Sequence, residues 1–199
     1  MDCTPIKRLR LKEAFANQQK FSVVTCDEDY VNELFEWTKR GLIYIYDDAE
    51  KGHSVFVEDT NGLGADKTFT VINQTHCNLF LWHIDGVLYN KNSKCDCAII
   101  SDAYMAFVEF KTNAENNTAE AIRENYDKAK NQLLLTFKDV ESRCAIAGLD
   151  LRKATEIEAF AVFNRTVPRN NAYQKKISAE FLEDTEGIPL YFEDSKTID

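Results

Sequence analysis

The chain has 199 residues and a formal net charge of −9, from 24 basic and 33 acidic side chains. Its length suits one domain with a sizeable core, and its 44% hydrophobic and 12% aromatic content excludes a disordered polypeptide. The acidic balance argues against binding nucleic acid by bulk electrostatics alone, which leaves a basic footprint, and points to a homo-oligomer, a partner protein or metal-screened contacts.

No apolar run reaches the length of a membrane span, and charges occupy MDCTPIKRLRLKEAF where a leader needs an apolar region. A cytoplasmic protein with no membrane partner is expected. The six cysteines, at 3, 26, 77, 95, 97 and 144, include no Cys-x-x-Cys pair and are expected as reduced thiols.

Residues 4–20 read as a short helix or a basic-tinged entry segment, carrying a basic cluster of Lys7, Arg8, Arg10 and Lys12. This is either a solvated face or a patch for nucleic-acid phosphates. Residues 27–40 have helical spacing, with Asp27 as N-cap, Gly41 past the C-terminus, and Val31, Leu34, Phe35 and Thr38 as the inward stripe. Glu28 extends that stripe by one turn. Residues 42–46, 54–58 and 68–72 read as strands, the last two joined through DTNGLGADK as a hairpin loop. That loop lacks the four-residue gap before Gly-Lys-Thr that a phosphate-binding loop needs.

Residues 79–84 form a further strand, and Asp85-Gly86 signals a two-residue hairpin with 87–89 returning. His83 and Asp85 share a face. Residues 94–111, KCDCAIISDAYMAFVEFK, read as two apolar strands joined by a turn at Asp102 and Ala103. Residues 118–143 form the longest helix, capped by Thr118, with Ile122, Tyr126, Ala129, Leu133, Phe137 and Val140 along one face. Residues 156–163 are a mostly apolar, central strand, for which the intervening helix implies a right-handed parallel crossover. A loop at 165–171, a helix at 173–182 and a strand at 188–192 complete the chain. The whole is expected to be one mixed α/β (α+β) domain.

Three residues break the apolar character of 94–111. Glu109 and Lys111, two apart, share a face of their strand. The turn at 102–103 sets Asp96 directly opposite Glu109, and two carboxylates so placed repel unless a cation lies between them. An acid-x-Lys triplet alone means little: Asp194-Ser195-Lys196 repeats it in what reads as a polar tail. Glu109-Phe110-Lys111 differs because it ends an apolar strand, faces an acid, and precedes a long amphipathic helix and another strand. Cys95 and Cys97 flank Asp96 and are expected to fill the core on the opposite face. His76, Cys77, His83, Cys95 and Cys97 match no common zinc spacing, although a small-molecule or zinc-dependent enzyme using His76, His83 and the cysteines stays open as a third reading.

This arrangement resembles the PD-(D/E)xK nuclease superfamily. The resemblance implies a restriction-endonuclease-like αβββαβ core over about residues 79–163, with 27–40 as its first helix. Residues 1–78 would add a helix and β-hairpins, and 164–199 a C-terminal helix and tail. It implies that Asp96 and Glu109 bind Mg²⁺, for which Mn²⁺ substitutes, with the Phe110 carbonyl as a further ligand, and that Lys111 orients or activates water. Glu28 is the counterpart of an acid that many members add from the first helix. Asp85 and Gln132 are expected beside the site. The residue before Asp96 is Cys95 where the family often has proline, and Thr136 stands where some members carry the tyrosine of Gln-x-x-x-Tyr. The implied activity is metal-dependent hydrolysis of phosphodiester bonds, in DNA ahead of RNA, in a setting such as a defence system. The alternative is a catalytically inactive interaction or assembly subunit on the same fold.

Overall fold

The computed structural model describes residues 4–22, 33–63, 67–89, 94–112, 118–164, 166–169 and 171–199. Residues 4–22, read as a short helix or an entry segment over 4–20, form three short helices, α1 (Thr4–Arg8), α2 (Leu11–Ala14) and α3 (Gln19–Ser22). Arg10 is left-handed, with φ 50°, and breaks the helix between α1 and α2. The broken path turns Leu9, Leu11, Phe15 and Phe21 all inward.

The helix expected over 27–40 is corrected at its C-terminal end. Phe35–Thr38 is a strand, β1, while residues 27–32, with Asp27, Glu28 and Val31, lie outside the described residues. Phe35 sits directly opposite Trp82 across the strand pair, and the two rings stack with centroids 6.0 Å apart. Phe21 meets both rings edge-on, each at 6.0 Å. Aromatic pairing across a pleated surface outweighs a helical spacing built on four residues.

Strands β2 (Leu42–Asp48) and β3 (His53–Val57) form an antiparallel hairpin. The next strand, β4 (Thr68–Asn73), pairs with the other edge of β2. β3 and β4 therefore flank β2 instead of pairing with each other, so the expected hairpin between them does not form. Strand β5 (Leu79–His83) follows, fully buried. The hairpin expected at Asp85-Gly86 does not form. The amides of Leu88 and Tyr89 both return to the Ile84 carbonyl at 3.0 Å, curling residues 84–89 into a tight excursion. Gly86 takes φ 74° there, against the Gly52 carbonyl of the β2–β3 hairpin.

The partner of β5 is β6 (Cys97–Ile100), which in turn pairs with β7 (Tyr104–Lys111). Helix α4 (Ala119–Ile146) is capped by Thr118, whose side chain accepts the Ala121 amide at 3.2 Å. It ends where Gly148 adopts φ 79° and the Leu149 amide reaches the Cys144 carbonyl at 2.9 Å. The expected stripe is buried from Tyr126 to Val140, with Ile122 half-buried. After α5 (Leu151–Ala154), β8 (Glu156–Phe163) runs parallel to β7 over all eight residues. Helix α6 (Ala172–Asp184) starts with a capping box formed by Asn171 and Gln174. Strand β9 (Leu190–Tyr191) adds to β8, and β10 (Ser195–Ile198) runs parallel to β4. The segment that reads as a polar tail is thus an edge strand, anchored by buried Ile198.

Two mixed sheets result. One has six strands in the order β1-β5-β6-β7-β8-β9, the other four in the order β10-β4-β2-β3. Alternation along β6 and β7 feeds two cores. Ala98, Ile100, Met105 and Phe107 pack with the helices. Cys97, Ile99, Ala106 and Val108 pack against Ile43, Ile45, Phe69 and Val71 of the second sheet. The six-stranded sheet is therefore the middle layer, buried on both faces, between the helices and the four-stranded sheet.

Candidate metal-binding acidic cleft

The β6–β7 ladder has the register expected from a turn at 102–103: Cys97 opposes Val108 and Ala98 opposes Phe107. Asp96 stands one residue before the ladder, level with Glu109. Its carboxylate Oδ2 accepts the Phe110 amide at 2.6 Å, so the side chain continues the pairing where the backbone leaves it. The Asp96 carbonyl accepts two amides, Ile84 at 3.1 Å and Asp85 at 3.2 Å. This bend at 95–96 also corrects the placement of the flanking thiols. Cys97 lies in the core between the sheets, but Cys95 lies on the helix side, where its amide donates to Thr136 Oγ1 at 2.8 Å.

Glu109 and Lys111 both point from β7 towards α4, as the two-residue spacing requires. Glu109 is 1% exposed. Its Oε1 accepts a hydrogen bond from Lys111 Nζ, and its Oε2 is buried without a hydrogen-bond partner. Lys111 Nζ also donates to Gln132 Oε1 at 2.7 Å, and Gln132 Nε2 donates to the Lys94 carbonyl at 3.0 Å. Gln132 is thus part of the cluster and not only beside it. Asp85, Asp96, Glu109, Lys111 and Gln132 line one open cleft of about 540 Å³. Its other wall is a face of α4 whose spacing, Lys128, Asn131, Gln132 and Leu135, adjoins the buried stripe.

The cleft is electrostatically loaded. Burial pushes the Glu109 carboxyl up to about 7, against the pull of Lys111 and with help from Asp47 and Asp85. Burial, then Glu109, then Asp47 hold the Asp96 carboxyl well above the usual carboxylate range. Asp85 is raised by burial, and Asp47 by burial and by Asp85. Asp47 escapes sequence reasoning. It lies on β2, in the other sheet, and its only local mark is a pair of acids closing an otherwise apolar strand. Lys128 and Asn131 are also new; their spacing beside the apolar stripe was the available signal.

The residues suit a hard divalent cation. Mg²⁺ prefers oxygen ligands and takes one or two carboxylates plus water and phosphate. Here a buried carboxylate oxygen lacks any donor, and a second carboxylate faces it at the mouth of an open cleft. Glu28 falls outside the described residues. The basic cluster is not at the cleft. Arg8 Nη1 donates to the Ala154 carbonyl while its Nε and Nη2 are buried without hydrogen-bond partners among the described residues, and Cys144 Sγ lies 3.7 Å from the Leu9 carbonyl, which puts this corner against the C-terminal end of α4. The zinc grouping is also corrected. His76 Nδ1 faces the Lys39 carbonyl at 3.1 Å and Cys77 Sγ faces Asn73 Oδ1 at 3.4 Å. Among the described residues, the only set of three potential ligands with atoms within 4.8 Å of one another is Glu36, His53 and His83.

No protein-family model, curated protein or solved structure matches the chain.

Proposed function

We propose that the chain is a divalent-metal-dependent nuclease that hydrolyses phosphodiester bonds in DNA at the Asp96–Glu109–Lys111 cleft. The observation that carries this reading is the buried Glu109 oxygen without a donor, on a strand end where Asp96 and Lys111 share its surroundings. The succession of β5, β6 and β7 as an antiparallel meander, then α4 and the parallel β8, supports the same resemblance that the motif spacing raised.

The chain's own groups divide the work. Asp96 and Glu109 would hold the cation, with the Phe110 carbonyl and Asp85 or Asp47 within the same acidic surroundings. When bound, the cation supplies a Lewis acid for the scissile phosphate and lowers the pKa of water. Lys111 Nζ stands beside Glu109, where it would orient water and stabilise the charge that grows on the phosphoryl oxygens. Gln132 fixes the lysine in that position. Lys128, exposed on the cleft rim, meets the phosphate backbone.

The test is cleavage of plasmid and single-stranded DNA, and of RNA, with Mg²⁺ or Mn²⁺ supplied. The wild type is expected to cut DNA, and Glu109→Gln and Lys111→Ala to lose at least about 100-fold in rate. Equal activity in both variants would overturn the reading. A folded wild type that cuts nothing with either ion would favour the assembly subunit.

A further inference from the structure

We propose that Glu36, His53 and His83 form a Zn²⁺ site that clips the two sheets together. Glu36 lies on β1 and His83 on β5, neighbours in the six-stranded sheet, while His53 opens β3 at the edge of the other sheet. One ligand atom from each lies within 4.8 Å of the other two.

Backbone carbonyls set the tautomers of both rings. His83 Nδ1 lies 2.8 Å from the Glu33 carbonyl and His53 Nδ1 lies 3.0 Å from that of Ser54. A carbonyl only accepts, so each Nδ1 is the donor, and in the neutral ring Nε2 is the nitrogen left to ligate a metal. For His83 this is the outer-shell contact that orients a ligating histidine. His83 is 3% exposed, yet its Nε2 has no aligned hydrogen-bond partner. Glu36 Oε1 stands 3.4 Å from that nitrogen. Two ligands on one tetrahedral Zn²⁺, at about 2.0 Å each, lie about 3.3 Å apart. The other oxygen, Oε2, accepts the Phe56 amide at 3.0 Å, which fixes the carboxylate against β3.

Two imidazoles and one carboxylate are a donor set suited to zinc, where all-oxygen sites suit magnesium. The group borders an open cleft lined by Lys20 and Lys51, so a fourth position faces solvent for water or an anion. The imidazole rings stack with centroids 4.3 Å apart and planes 28° from parallel, so seating the ion requires a rotation of His53, the more exposed of the two.

The experiment is Zn²⁺ titration of the chelator-stripped full chain by calorimetry, with Co²⁺ absorption as a second readout. One Zn²⁺ per chain is expected, with a tetrahedral Co²⁺ spectrum. His53→Gln should weaken binding at least about tenfold, and Glu109→Gln should leave it intact. If His53→Gln fails to fold, Glu36→Gln serves, since its amide still accepts from Phe56. A folded wild type that takes up no Zn²⁺, or binding unchanged by loss of His53 or Glu36, overturns the proposal. Zn²⁺ binding abolished by Glu109→Gln also overturns it, because the ion would then sit in the acidic cleft.

Discussion

Glu109 is the residue on which stability and the proposed chemistry pull in opposite directions. Its folded pKa of about 7 lies above the ordinary 4.5 because burial disfavours the charged form. The native state then holds more protons than the unfolded state between those two values, so this group's contribution falls as pH rises from about 4.5 to 7. Glu109→Gln removes the penalty. Without divalent ions the variant should be more stable than the wild type at pH 8, by roughly 1–3 kcal/mol, and the difference should shrink towards pH 5. Denaturant melts at the two pH values check this, and a variant less stable at pH 8 would show that the carboxylate is not strained. On the proposed nuclease reading, Gln132 acts through Lys111, to which it is hydrogen-bonded, as a positioning residue. Gln132→Ala should lower kcat about tenfold while leaving KM for DNA within about twofold, and rescue by Gln132→Asn would argue against a need for the full reach to the Lys94 carbonyl. Asp96, Glu109 and Lys111 were legible because strand alternation and one turn position fix which side chains meet. Asp47 was not, because its approach depends on how two sheets stack, and no local pattern encodes that.

Among elements, β7 and β8 were readable to the residue from their long apolar runs, and α4 from its helical stripe and Thr118 cap, though it runs three residues past the expected end at 143 to Ile146. The edge strands β1 and β10 were not. Each is four residues long, and its identity comes from a partner: Trp82 for Phe35, and β4 for 195–198. The 84–89 excursion shows how a correct turn signal still misplaces the return. Asp85-Gly86 does turn, but the Asp96 carbonyl captures the Ile84 and Asp85 amides and gives β5 a different neighbour. Gly86 is held by two constraints at once. Its φ of 74° suits glycine, and a Cβ would drive into the Gly52 carbonyl. Gly86→Ala should therefore destabilise the fold by about 2–3 kcal/mol in urea melts, and a neutral result would mean that the excursion shifts freely.

At the scale of the whole molecule, polar ties stitch the two sheets beside the apolar core. Lys196 on β10 reaches Glu158 on β8 at 2.7 Å, and the Tyr104 hydroxyl donates to the same carboxylate at 2.5 Å. Glu158 is only 6% exposed, so Lys196→Ala should cost about 2 kcal/mol, less than a fully buried pair because the lysine keeps some contact with water. Thermal melts at neutral pH report it, and an unchanged midpoint would remove β10 from the account of stability. The same stacking carries Asp47 of one sheet towards Asp96 and Glu109 of the other, so the acidic cleft is a property of the assembled layers. The proposal that this cleft holds a cation is tested most directly by Mn²⁺ binding, followed by electron paramagnetic resonance at pH 8. The His53→Gln background silences the histidine group. One Mn²⁺ bound per chain, lost on adding Glu109→Gln or Asp96→Asn, is the predicted result. Binding that is absent, or that survives both substitutions, would contradict it.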